Sequence, residues 1–72
     1  MKKFNNVKVY NEYLENEFGF GLDEFGFEDF EKFVNGNEFV VYFDEDEDFI
    51  IEICNKKYYI VENVMGIKFV EM

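Results

Sequence analysis

Apolar residues recur along the first part of the chain at the spacing of one helical face. Val7, Tyr10, Leu14 and Phe18 follow this rhythm over residues 6 to 18, while Lys8, Glu12, Glu15 and Asn16 fall elsewhere. Asn6 supplies an N-cap and Gly19 a left-handed stop, so the pattern predicts a first helix. The stretch Phe18-Gly19-Phe20-Gly21-Leu22 is poor helix material, because its glycines lose much backbone entropy on ordering. It reads as an extended connector whose apolar side chains drop into the core.

Asp23 is the next cap, and Phe27, Phe30, Phe33 and Val34 again share one face before Asn35-Gly36. Gly26 weakens the first turn, which puts the expected start of the second helix near Phe27. Beyond Gly36 the period falls to two. Phe39, Val41 and Phe43 alternate with Val40 and Tyr42, and Phe49, Ile51 and Ile53 repeat the pattern after Asp44-Glu45-Asp46-Glu47-Asp48. Asn55-Lys56 forms a polar break before a third strand, Tyr58 to Val61, and Gly66 precedes a fourth, Ile67 to Val70. Tyr58 and Tyr59 point to opposite faces of their strand, so only one of them can enter the core.

These elements predict an α+β fold: two short N-terminal helices packed on an antiparallel meander of three or four strands. Residues 1 to 72 form a single small acidic domain, with no repeat and no Gly/Ser or Pro-rich linker to divide them. Val40, Ile50 and Val61 leave the second sheet face unusually apolar. That hints at a homodimer or a partner interface.

Composition sharpens the picture by what it omits. Ala, Arg, Gln, His, Pro, Ser, Thr and Trp are all absent, so the chain can build no catalytic triad, histidine metal site or phosphate-clamping arginine. The absent types are mostly encoded by codons containing cytosine or guanine, and every cation is Lys. Both facts suggest an A/T-rich genome, bacterial or phage. Cys54 is the only cysteine, which excludes an intramolecular disulfide and fits a reducing compartment. A chain this short then has to hold itself together with aromatic mass, and it carries 11 Phe and 5 Tyr. The start, Met-Lys-Lys-Phe-Asn-Asn, lacks the apolar run of a signal peptide, and Phe39 to Phe43 is the longest apolar run. The expected location is the cytoplasm of a bacterial host cell, with no membrane partner.

Charge is the remaining chemistry. Seventeen acids stand against seven lysines, a net charge of -10. From Val9 to Asn55 fifteen acids face Lys32 alone, a local charge of -14, while the two ends together come to +4. Such a field repels phosphate, which argues against direct nucleic-acid binding despite the many aromatics. It attracts basic surfaces instead, including those made for DNA. Helical spacing lines up Glu12 with Glu15, and Glu24 with Glu28 and Glu31. With Asp29 and the run Asp44, Glu45, Asp46, Glu47 and Asp48, these are the candidate partner-binding residues.

Other chemistry falls away on inspection. Asp44, Asp46 and Asp48 match the first positions of a calcium loop, but Phe49 stands where the turn needs Gly and Asn55 where it needs a bidentate Glu. No metal or other cofactor is expected. Paired carboxylates lack a substrate cleft, and Cys54 lacks an activating His and reads as a small strand residue. The expected function is therefore a non-enzymatic acidic inhibitor or decoy for a basic, nucleic-acid-handling protein such as a nuclease. In bulk properties alone it resembles the small acidic phage proteins that block CRISPR or restriction systems; no motif ties it to a family. The rival expectation is a small assembly protein that self-associates through the apolar sheet face, its acids serving solubility.

Overall fold

A computed structural model describes residues 2–72. The chain forms β1 (Lys3–Phe4), α1 (Val7–Phe18), α2 (Glu24–Val34), β2 (Phe39–Phe43), β3 (Phe49–Ile53), β4 (Lys56–Asn63) and β5 (Gly66–Glu71). The fold is α+β, and its five strands lie in sequence order, each antiparallel to the next. The sheet thus exceeds the expected three or four strands, and the helices follow a strand instead of opening the chain. Phe4 explains the extra strand. It pairs with Phe39 across the β1–β2 ladder and is almost fully buried, so two residues are held by one core side chain.

Both helices begin and end as their capping residues dictate. The Asn6 side chain accepts from the Val9 N–H at 2.9 Å, and that of Asp23 accepts from the Gly26 N–H at 2.7 Å. Gly19 and Asn35 close them in the left-handed region. Helix α2 starts at Glu24, ahead of the expected Phe27. Gly26 is buried there, and a Cβ on it would come within 3.0 Å of Ile67 Cδ1. This glycine lets the first turn of α2 lie against β5.

One face of the sheet meets the helices. Phe4, Val7, Tyr10, Leu14, Phe30, Val34, Phe39, Ile51 and Ile53 form the buried cluster. Tyr10 sits at its centre, with ring centroids 5.1 Å from Phe4, 5.1 Å from Phe30 and 5.7 Å from Phe39. A second aromatic group locks α2 to the far strands, where Phe33 stacks on Phe69 at 3.9 Å and meets Tyr58 edge-on at 4.9 Å. Tyr58 therefore faces the core and Tyr59 the opposite side.

Burial pushes the Tyr10 phenol well above its ordinary value, with nearby Tyr13 and Glu62 adding to the shift. The folded chain holds this proton more tightly than the unfolded one, so stability is intact below about pH 10 and falls as pH rises beyond it. Tyr10→Phe is expected to flatten that alkaline loss in urea titrations from pH 9 to 11. An unchanged slope would show that Tyr10 does not govern it.

Two expectations about loops are corrected. The Asn11 side chain accepts from the Leu22 N–H at 2.6 Å and turns Leu22 inward, but Phe20 is 56% exposed, so the connector does not drop wholly into the core. The β3–β4 turn is Cys54-Asn55, not Asn55-Lys56. Both residues have positive φ (52° and 65°), the signature of a type I′ hairpin, and Cys54 is exposed at its tip instead of lying within a strand.

Candidate functional site: an acidic end

The antiparallel order sorts the turns between the two ends of the sheet. Strands β2 and β4 both run against β3, so the turn at residues 44–48 and the Val64-Met65 turn lie at the same end. The close of α1 joins them, since the Phe18 ring lies 6.1 Å from that of Phe43. So does the start of α2, because Gly26 in its first turn lies against Ile67 beside the β4–β5 turn, and Asp29 Oδ2 one turn on accepts from the Ile67 N–H at 2.8 Å. Glu15, Glu24 and the run Asp44 to Asp48 are thereby gathered at one end. Lys3, Lys8, Lys32, Lys56 and Lys57 stand on elements that place them toward the other.

The remaining candidates are distributed unevenly. Glu12 is exposed one turn earlier on α1, and Glu28 and Glu31 continue along the solvent side of α2, opposite buried Phe30 and Val34. Asp29 is different. It is half-buried, bonded to the β5 backbone and packed against Gly66, so its role is to join α2 to the sheet. Glu17 and Glu62 also belong to the acidic end but escape a reading based on spacing. Only the packing of α1 and β4 brings them there.

The turn itself is tightly organised. Asp44 Oδ1 accepts from the Asp46 and Asp48 N–H groups at 3.0 and 2.9 Å, and the Asp44 N–H donates to the Asp48 carbonyl at 3.0 Å. Glu47 adopts a left-handed φ of 64°, a conformation in which Gly or Asn is more usual. Carboxylate oxygens of Asp44, Asp46 and Asp48 lie within 4.8 Å of one another. The Asp44 oxygen is already engaged by backbone donors, and the flanks are strands, unlike the helices around a calcium loop.

The sheet face away from the helices carries Val40, Tyr42, Ile50, Tyr59, Val61 and Val70, interspersed with charged residues. Cross-strand register sets Tyr42, Ile50, Tyr59 and Val70 in one row, and Lys3, Val40, Glu52 and Lys57 in the next. Ile50 is fully buried there between half-buried Tyr42 and Tyr59. Lys3, Lys57 and Lys68 face outward among these rows, and Lys3 pairs with Glu38 at 3.4 Å.

Near the acidic end lie two narrow clefts, one of about 70 Å³ between α1 and strands β2 and β3, and one of about 60 Å³ beneath Phe20 and Leu22 of the connector. Each has room for about two waters. No helix among the described residues is long and apolar enough to cross a membrane. Comparison with family models, curated proteins and solved structures gives no match to this chain.

Proposed function

We propose that this protein is a non-enzymatic acidic inhibitor or decoy that binds a basic surface on a nucleic-acid-handling protein, as the small acidic phage proteins that block CRISPR or restriction nucleases do. The observation that supports the reading is the gathering of Glu15, Glu24 and Asp44 to Asp48 at one end, with most lysines placed toward the other. A carboxylate field concentrated in this way competes for Lys and Arg side chains that would otherwise hold phosphates. The chemistry is carried by a surface and needs no cleft or cofactor.

The test is DNA cleavage by a panel of CRISPR effector and restriction complexes with the protein added. Suppression of at least one, competitive with DNA and weakening steeply between about 50 and 300 mM salt, is the expected result. Replacing Asp44 to Asp48 with their amides should slow association by about tenfold, because exposed charge acts mainly on the encounter rate. Binding indifferent to both salt and the amide substitutions would remove the electrostatic basis of the proposal.

A further inference from the structure

Three aromatic rings lie open at the acidic end. Phe18, Phe20 and Phe43 are 43%, 56% and 49% exposed, and their rings touch in series, with centroids 6.0 Å apart for Phe18 and Phe20 and 6.1 Å for Phe18 and Phe43. Phe49 supports the far side, 4.2 Å from Phe43. Single exposed apolar residues are ordinary on protein surfaces, whereas a connected group rimmed by polar residues marks a contact site. Acids flank it along the chain: Glu17 precedes Phe18, and Asp44 follows Phe43, opening the run to Asp48.

From this geometry we infer that the Phe18–Phe20–Phe43 ridge is the apolar anchor of the acidic surface. Its occupant is an apolar pocket or groove on a protein, bordered by Lys and Arg. This rests on the basic-partner reading above and names what that partner must offer besides charge. The rim decides against other occupants. Phosphate of a nucleic acid or an anionic lipid meets the same carboxylates as like charges, and a second copy set ridge to ridge would bring two acidic runs together. Partly exposed aromatics at the centre with charged groups around them match the anatomy of hot spots, in which the centre sets the dissociation rate and the rim steers the approach. The Asn11 bond to Leu22 N–H anchors the connector that carries Phe20, which lowers the cost of ordering it on binding.

The test uses two synthetic probes of equal positive charge, an amphipathic lysine–leucine peptide and an oligolysine, titrated into the isotope-labelled protein by NMR and calorimetry. The amphipathic peptide is expected to bind at least tenfold more tightly, to weaken with salt while keeping that advantage over oligolysine, and to shift the ring signals of Phe18, Phe20 and Phe43. Phe20→Gln should reduce its affinity to that of oligolysine and leave oligolysine binding unchanged. Phe43→Gln serves as an independent second lesion, and circular dichroism verifies that each variant is folded. Equal affinity for the two probes, shifts centred on Tyr42 and Tyr59, or concentration-dependent self-association through the ridge would each overturn the inference. Failure of both probes to bind at low salt would instead overturn the acidic-surface reading on which it rests.

Discussion

Phe30→Ala is expected to leave the chain unfolded at 25 °C. Phe30 is almost fully buried and touches three rings from three different elements, Tyr10 at 5.1 Å, Phe39 at 6.3 Å and Phe69 at 5.1 Å. Truncating a buried Phe to Ala costs about 3–5 kcal/mol, counting both lost transfer energy and the cavity left behind. A chain of this length, with no disulfide, holds only about 3–5 kcal/mol in total. The whole margin is then spent at one position. Far-UV circular dichroism with urea titration is the measurement, and Phe30→Leu, which keeps much of the volume, should cost markedly less. A cooperative transition for Phe30→Ala near the parent midpoint would mean that the two aromatic groups do not form one core.

Gly66→Ala should be the most damaging substitution outside that core. Gly66 has φ 133°, where an L side chain is strained by about 1–3 kcal/mol. A Cβ there would also fall on the Asp29 carboxylate and displace it from the Ile67 N–H, which it holds at 2.8 Å. The combined loss is about 3 kcal/mol, or roughly 12 to 24 °C in Tm for a domain of this size. The two contributions separate in a double-mutant cycle. In an Asp29→Ala background Gly66→Ala should cost less than in the parent, because the clash has already been removed. Strict additivity would show that backbone strain alone accounts for the loss.

Much of this architecture was legible because it rests on local signals. Asn6 and Asp23 cap the helices that follow, Gly19 and Asn35 end them, and alternation in Phe39 to Phe43 and Phe49 to Ile53 gives the two central strands. Strand β1 was not legible, since Phe4 gains its role only from Phe39, far along the chain. The same holds for Phe20. Its neighbours resemble a buried connector, and only the Asn11–Leu22 bond shows which apolar side chain turns in and which stays out. Helical spacing rightly put Glu12, Glu15, Glu24, Glu28 and Glu31 in solvent. It gave no sign that Asp29, on the same helix, is committed to the β5 backbone, because that partner lies 38 residues away. Side-chain chemistry near the caps reads directly, whereas positions defined by a distant strand do not.

The two-residue turn at Cys54 has a practical consequence. Its thiol is the only one in the chain, it is exposed, and antiparallel register puts it at the end of the sheet opposite the Asp44–Asp48 turn. Maleimide chemistry there can tether the molecule to a sensor, or attach one fluorophore, with the Asp44–Asp48 turn pointing away from the attachment. Joining two molecules through the same sulfurs gives a covalent pair whose acidic ends face outward, a bivalent reagent for any surface that one copy can grip.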